Sequence, residues 1–252
     1  MSFRVGADAY AAFMGRYSEP LAVQFAGLVG DGRRVLDVGC GPGALTAELA
    51  RRPAGGAGVV CAVEPSESFA RAVAKRLPGV RVSRAAAEHL PFLDDAFDVT
   101  AAQLVVHFMA DPVAGLREMR RVTRPGGTVA ACVWDHAGGR APLTTFWHAA
   151  LELDPAARDE SALAGAREGH LAGLFRQAGL GTARDAVLSV TVGYASFDDW
   201  WEPYTLGVGP AGDYLASLGG ARAAALRGRC LGLLGHGPIE VTAAAWAAVA
   251  EA

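Results

Sequence analysis

Three glycines alternate directly after an apolar run near the start of the chain. The segment 35–43 reads VLDVGCGPG, which places Gly39, Gly41 and Gly43 two residues apart. Because glycine has no Cβ, such a turn can take positive φ angles and let the backbone come very close to a ligand. A helical pattern follows at 44–52, and the first N–H groups of such a helix can bind an anionic group. The turn therefore predicts a ligand-binding loop between a strand and a helix.

Two classes of ligand fit the spacing of this loop. A dinucleotide loop reads G-x-G-x-x-G/A, which Gly39, Gly41 and Ala44 satisfy. An S-adenosylmethionine loop typically reads D/E-x-G-x-G-x-G, which Asp37 and the three glycines up to Gly43 satisfy completely. The spacing favours the second class and leaves the first one open.

The elements that must position this loop alternate along the chain. Apolar runs typical of strands are followed by helical patterns, and the last run, 241–250, fits either a strand or a helix. The predicted strands are 35–39, 58–64, 80–85, 97–106, 128–134 and 183–194, and the predicted helices are 44–52, 68–77, 113–122, 141–155, 170–180 and 221–234. Such alternation implies parallel pairing with right-handed crossovers, and strands apolar on both faces are covered by helices on both sides.

These patterns predict an α/β fold: a doubly wound, Rossmann-like and mostly parallel seven-stranded sheet with helices on both faces. Ligands of such sheets bind beyond the carboxyl ends of the strands, where the strand order reverses. We expect one domain over 1–252. Its predicted core is 30–140, 168–195 and 238–252, and its predicted cap, helical and aromatic, is 141–167 and 196–236.

Five motifs in register resemble class I S-adenosylmethionine-dependent methyltransferases, especially the small-molecule branch that includes quinone-biosynthesis methyltransferases. They are VLDVGCGPG at 35–43, Glu64 at the end of the second strand, AEHLPF at 87–92, FDV at 97–99 with the run to Asp111-Pro112, and RPGG at 124–127. The resemblance covers about 30–135 and 170–195. It implies S-adenosyl-L-methionine as cofactor, S-adenosyl-L-homocysteine as product and a small-molecule acceptor.

The resemblance also implies roles for individual residues. Glu64 would accept both ribose hydroxyls in a bidentate manner, Glu88 would bind the adenine edge, and Asp37 would fix the loop or approach the amino group. In an opening helix, Arg16 could supply charge and Tyr10 or Tyr17 a hydroxyl to the methionine carboxylate, unless this helix serves packing alone. The full predicted cofactor set is Tyr10, Arg16, Asp37, Gly39, Cys40, Gly41, Gly43, Glu64, Pro65, Ser66, Ala87, Glu88, His89 and Gln103.

Catalysis needs few residues, because the methyl group of a sulfonium is already activated. His107, at the end of the fourth predicted strand, is a candidate base or a structural histidine. His136 follows the fifth strand and could face the same cleft. The aromatic insertion predicts a lid over an apolar or planar acceptor, with a hydrophobic subcore or an oligomer contact as the alternative. The predicted acceptor-binding residues are His136, Phe146, Trp200, Trp201 and Tyr204.

Composition excludes several other classes. A net charge of −3 gives no basic surface for nucleic acid. The four cysteines show no CxxC or metal-ligand spacing, so we expect reduced thiols and no metal site. The N-terminal MSFRVGADAY lacks the apolar core of a signal peptide, and no run reaches the ~20 apolar residues that span a bilayer. We expect a cytoplasmic monomer or homodimer without a membrane span.

Two rival functions remain from the sequence. An NAD(P)-dependent oxidoreductase shares the fold and the Glu64 position, but the only lysine, Lys75, has Arg71 where a Tyr-x-x-x-Lys motif needs tyrosine. A non-catalytic protein that binds S-adenosylmethionine for regulation would carry the same loop.

Overall fold

The structure is a computed structural model that describes residues 6–52 and 58–252. Residues 1–5, half of the segment on which the signal-peptide expectation rests, lie outside the described residues. None of the helices within the described ranges is long and apolar enough to cross a lipid bilayer.

Seven strands form one central sheet. In chain order they are β1 (Arg34–Val38), β2 (Val59–Val63), β3 (Arg81–Ser83), β4 (Phe97–Gln103), β5 (Thr123–Trp134), β6 (Arg184–Tyr194) and β7 (Ile239–Glu251). Their order across the sheet is β3-β2-β1-β4-β5-β7-β6. The first five strands pair in parallel, and β7 runs antiparallel to β5 and β6. This confirms the predicted fold class, and the run at 241–250 proves to be a strand.

Helices cover both faces of the sheet. In chain order they are α1 (Ala7–Tyr10), α2 (Arg16–Val29), α3 (Ala44–Arg51), α4 (Glu67–Arg76), α5 (Pro112–Val122), α6 (Thr144–Leu153), α7 (His170–Gln177), α8 (Phe197–Trp201), α9 (Gly209–Ser217) and α10 (Gly220–Leu234). A π-helical turn at Ala11–Gly15 joins α1 to α2. Helix α2 packs on α3, and α5 packs on α7, so each pair encloses its own part of the apolar core.

The chain reverses its direction of travel across the sheet at β1. Strand β1 pairs with β2 on one side and with β4 on the other. A crevice therefore opens beyond the carboxyl ends of β1 and β4, which is where doubly wound sheets bind ligands. The glycine loop follows β1 at this edge.

Strand β4 ends earlier than the apolar run predicted. The run extends to residue 106, but the strand stops at Gln103 because Leu104 takes a left-handed backbone with φ 60°. Left-handed backbone is uncommon outside glycine and clusters at ligand sites. After Leu104 the chain forms a single 3₁₀ turn at Val106–Phe108, which carries His107 away from the strand direction.

Candidate functional site

A cavity of about 420 Å³ opens beyond the carboxyl ends of β1, β2 and β4. Its size falls within the usual range of small-molecule pockets. Its described lining residues are Tyr10, Ser18, Asp37, Gly39, Cys40, Gly41, Pro42, Ala44, Leu45, Glu64, Pro65, Ser66, Phe69, Ala86, Ala87, Glu88, Gln103, Leu104, Val105, Phe108, Met109 and Ala110. Eleven of the fourteen predicted cofactor residues are in this lining; Arg16, Gly43 and His89 are not.

The three glycines of the loop have different physical roles. A Cβ on Gly39 would lie 2.5 Å from Val105 Cγ1, so this glycine is needed for close packing against the segment after β4. Gly43 begins α3 with φ 93° and lies against Val73 of α4, outside the cavity lining. Only at Gly41, with φ 52°, would a Cβ meet no protein atom within 4 Å, although this residue lines the cavity. The space beside Gly41 is therefore open, and a ligand there can contact the backbone directly.

Glu64 connects β2 to this loop. One carboxylate oxygen accepts the Gly41 N–H and the other accepts the Ser66 N–H, both at 2.9 Å. The side chain is buried and lines the cavity, and burial raises the pKa of its carboxyl group. A carboxylate offers about four lone-pair sites, so both oxygens can accept further hydrogen bonds from a ligand. This geometry suits a pair of neighbouring hydroxyl groups.

Asp37 lies deeper, at the end of β1. Its side chain is 1% exposed, and Thr46 Oγ1 donates a hydrogen bond to its Oδ2 at 2.5 Å. Burial is the main cause that raises the pKa of Asp37 to about 7. The contact to Thr46 ties β1 to α3 and so fixes both ends of the glycine loop.

Glu88 links two loops at the opposite end of the cavity. Its Oε1 accepts the Ala110 N–H at 2.7 Å and the Asp111 N–H at 3.3 Å. Ala87 beside it is buried and lines the cavity. His89 is exposed and outside the lining, so its predicted cofactor contact gains no support from the cavity. The chain turns after Ala87 and directs the His89 side chain to solvent.

The side-chain amide of Gln103 is only partly hydrogen-bonded within the described residues. Its Nε2 donates to the Ser18 carbonyl at 2.9 Å, which ties β4 to α2. Its Oε1 is buried without a partner among the described residues. Since an unsatisfied buried acceptor costs about 1–3 kcal/mol, a donor on a ligand would stabilise this site. Tyr10 also lines the cavity, and burial, followed by the charge of Glu64, raises its pKa to about 12.

Arg16 lies outside the cavity lining, so its predicted contact with the cofactor gains no support from this structure. Its guanidinium donates to both carboxylate oxygens of Asp199, at 3.1 and 2.6 Å, and lies 5.0 Å above the ring of Tyr194. Tyr17 is buried, and its hydroxyl accepts a hydrogen bond from Tyr194. Neither side chain is in the cavity lining. Asp199 lies in α8, far from Arg16 of α2 along the chain, and the ion pair between them forms only in the folded structure.

His107 is a buried imidazole next to a second histidine. It is 8% exposed, and its ring centroid lies 6.0 Å from that of His136. Burial and then the neighbouring His136 lower the pKa of His107 to about 3, and burial lowers that of His136 to about 4. Such imidazoles stay neutral at physiological pH and accept protons poorly. Burial therefore favours the alternative of a structural histidine, and the role of His107 as base stays a prediction.

Both histidines line a second, inner cavity of about 40 Å³. It shares the lining residues Tyr10, Leu104 and Phe108 with the large cavity, so the two spaces adjoin. His107 Nδ1 and His136 Nε2 are buried without hydrogen-bond partners within the described chain. Leu104, with its left-handed backbone, lines both spaces.

Glu160 in this inner cavity was missed from the sequence. It is 4% exposed, its Oε2 accepts the Trp147 Nε1–H at 2.9 Å, and burial raises its pKa to about 7. It lies in a segment of turns without periodic hydrophobicity, and no motif includes it. Only the folded arrangement of α6 and this segment brings it to the cavity.

The aromatic residues expected to form a lid are core residues. Trp200 is 1% exposed, and the rings of Phe146 and Tyr204 stack with centroids 4.7 Å apart. Phe146 and Trp200 line neither cavity, while Trp201 and Tyr204 line a separate surface pocket. The burial of these rings favours the alternative of a hydrophobic subcore, and the aromatic lid stays a prediction.

The residues present fit S-adenosylmethionine. Gly41 offers an open cradle for backbone contact, Glu64 offers two oxygens to a diol, and Gln103 offers an unsatisfied acceptor. Within the described ranges, no group of three or more His, Cys, Asp and Glu side chains is placed to hold a metal ion.

The fold and this site together define a class. The reversal at β1, the glycine loop after it and the acidic residue after β2 lie where the resemblance to class I methyltransferases implies them. Residues 36–131 match the family model described as a methyltransferase domain.

Named relatives agree with this class. The chain is 38% identical over 118 residues to a demethylmenaquinone methyltransferase of Mycobacterium sp. (strain KMS), which covers 47% of this chain and 49% of the relative. It thus spans about half the length of the curated relatives it matches.

Solved structures show the same fold at low identity. A SAM-dependent methyltransferase of Thermotoga maritima, described as a possible histamine N-methyltransferase, superposes with a TM-score of 0.56 and 19% identity over 97% of this chain and 94% of its own. The [4+2]-cyclase SpnF superposes with a TM-score of 0.52 and 20% identity over 94% of this chain and 80% of its own. At such identities the likeness concerns the fold alone. Neither the regulatory alternative nor the oxidoreductase alternative gains support from the family match.

Proposed function

We propose that this protein transfers a methyl group from S-adenosylmethionine to a small organic acceptor and releases S-adenosylhomocysteine. The observation that carries the proposal is the hydrogen bond from the Gly41 N–H to the Glu64 carboxylate at 2.9 Å, in the lining of a cavity of about 420 Å³. This hydrogen bond places two carboxylate oxygens beside Gly41, where an added Cβ would have no protein atom within 4 Å.

The cavity offers a separate group for each part of the cofactor. Glu64 would accept the two ribose hydroxyls, and the Ala87-Glu88 segment would bind the adenine edge. The loop 37–43, with Asp37 beneath it and Gln103 Oε1 opposite, would hold the amino-acid tail. When bound, S-adenosylmethionine supplies an activated methyl group on a sulfonium centre.

The chain's own residues would contribute position and the exclusion of water. Holding two reactants in line can lower a barrier by about 7–11 kcal/mol. Leu104 and Phe108 line both cavities, and so they flank the path between a cofactor in one and an acceptor in the other. No side chain needs to form a covalent bond.

The proposal retains the division into a core and a cap. The inner cavity is bounded by residues of both predicted parts, which supports an acceptor site between them. Its core residues include Leu104, His107 and Trp134, and its cap residues include Leu143, Glu160 and Val208. The cytoplasmic location and the monomer or homodimer state stay predictions. The location is supported by four cysteines that are all buried and unpaired.

Calorimetry with S-adenosylmethionine, S-adenosylhomocysteine and NADH tests the proposal. We expect micromolar binding of the first two and no binding of NADH. Preferential binding of NADH would overturn it in favour of an oxidoreductase. Mass spectrometry of a reaction with phenol, amine and quinone-like acceptors should show a gain of one methyl group. Tight cofactor binding without any methylated product from a broad panel would favour the regulatory alternative.

A further inference from the structure

The buried carboxylates differ in the groups and cavities that lie beside them. Four carboxylate side chains are buried among the described residues, and they are Asp37, Glu64, Asp135 and Glu160. Asp135 is neutralised by Arg140 at 2.6 Å. Asp37 and Glu64 have no basic partner within the described chain, and both face the cavity assigned to the cofactor. Glu160 is the remaining one, and it faces a different space.

Glu160 lies between two cavities. It lines the inner cavity of about 40 Å³ and also an outer pocket of about 370 Å³ formed by α6 and the segment that follows it. His136 is the other residue shared by these two spaces. The three spaces therefore adjoin in the order large cavity, inner cavity and outer pocket. This order defines a candidate route for an acceptor that does not pass the cofactor.

Two acidic side chains lie along this route. Asp159 and Glu160 line the outer pocket, and none of the described residues lining either space is lysine or arginine. His107, which is more than nine-tenths buried, lines the inner cavity with Nδ1 unpartnered. A buried carboxylate without a cation is unfavourable, and a cationic ligand would remove this penalty.

We propose that the acceptor is a small amine that enters through the outer pocket and places its nitrogen in the inner cavity against the Glu160 carboxylate. The inner cavity has room for only about three waters, which fits an amino group but not a ring. The body of the amine occupies the outer pocket beside Trp147, which also holds the carboxylate by its Nε1–H. This inference rests on the proposed function and names its substrate class.

The chemistry balances with the groups at hand. The ammonium form gives one proton to the Glu160 carboxylate and leaves a neutral nitrogen with a lone pair. That lone pair forms the new N–C bond, while the electrons of the broken S–C bond stay on sulfur. The positive charge passes from sulfur to nitrogen, so the total charge is unchanged.

Binding without cofactor tests the inference by calorimetry. The probes are n-butylamine, 2-phenylethylamine and tryptamine, each compared with the alcohol of the same shape. We expect at least one amine to bind tenfold or more tightly than its alcohol. Glu160→Gln, which keeps an oxygen for Trp147, should abolish this preference. The matched control Glu168→Gln changes an exposed carboxylate outside both cavities and should retain it.

Each other outcome overturns the inference. Alcohols that bind as tightly as the amines, no binding of any amine, or an unchanged preference in Glu160→Gln would each contradict it. Binding of S-adenosylhomocysteine is measured in parallel on wild type and Glu160→Gln, with no change expected. If neither protein binds S-adenosylhomocysteine while the wild type still prefers amines, the proposed function is contradicted but the amine site is not.

Discussion

The carboxylate of Glu64 accepts the backbone N–H of Gly41 at 2.9 Å, across a gap of 23 residues in the chain. The end of β2 and the turn after β1 are therefore joined in the structure without any ligand. Such preformed geometry lowers the entropy that binding must overcome.

Replacing Gly41 with valine should abolish cofactor binding. The new side chain would project into the cavity, and we expect affinity for S-adenosylmethionine to fall by about 100-fold or more, which is ~2.8 kcal/mol. The control is Gly181→Val, because Gly181 has a similar φ of 64° and equally open space but lies at the surface. Calorimetry and far-UV circular dichroism check both variants. Equal affinity in the two would remove the loop from the site.

Replacing Glu64 with alanine should weaken binding by about 1.5–3 kcal/mol, the range of hydrogen bonds to charged groups, or roughly 10–100-fold. Part of this loss comes from the Gly41 and Ser66 N–H groups, which lose their acceptor. Glu67→Ala, on the exposed first turn of α4, should leave affinity within about twofold. A loss under a few tenths of a kcal/mol in Glu64→Ala would reassign this residue.

Arg16 and Asp199 should behave as a structural pair. A double-mutant cycle with Arg16→Ala and Asp199→Asn should give a coupling of at most ~1 kcal/mol in unfolding free energy, because the pair is partly exposed. Affinity for S-adenosylmethionine should change by less than about threefold in Arg16→Ala. A tenfold loss there would restore the contact to the methionine carboxylate that the sequence predicted.

Glu160 should make stability depend on pH in a defined direction. Its folded pKa is raised to about 7, so its contribution is present below pH 4.5 and is lost as pH rises through 7. Relative to Glu160→Gln, the wild type should therefore lose about 2–3 kcal/mol between pH 5 and pH 8. Urea unfolding of both proteins at the two values measures this difference. A constant difference would show that Glu160 is hydrated rather than buried.

His107 should show the opposite dependence. Its folded pKa is lowered to about 3, so the unfolded chain takes up a proton first as the pH falls below 6.5. Relative to His107→Gln, the wild type should lose about 2 kcal/mol of unfolding free energy between pH 7 and pH 5. Nitrogen NMR of the folded protein should find this imidazole neutral at both values. A titration near pH 6.5 in the folded state would restore His107 as a candidate base.

The cofactor half of the molecule is largely predictable because its signals are local. The strand, the turn and the helix of the glycine loop are consecutive, and buried parallel strands leave continuous apolar runs such as VLDVG. Glu64 could be placed because it directly follows such a run. The early end of β4 could not be predicted, because a leucine gives no indication of the left-handed backbone that Leu104 adopts.

The acceptor half depends on contacts between distant segments. Arg16 and Asp199 are 183 residues apart, and nothing near Arg16 indicates its partner. The aromatic residues of α8 have the composition of either a lid or a core, and only packing against Phe146 decides between them. Glu160 becomes notable only when folding removes its water and brings Trp147 and His136 beside it.

A solved complex with S-adenosylhomocysteine tests the central claim most directly. We predict that the amino-acid tail lies along residues 37–43, that both ribose hydroxyls donate to Glu64, and that the sulfur faces Leu104 and the inner cavity. A nucleoside bound elsewhere with this loop empty, or a diphosphate group held in the loop in a complex with a dinucleotide, would contradict the account.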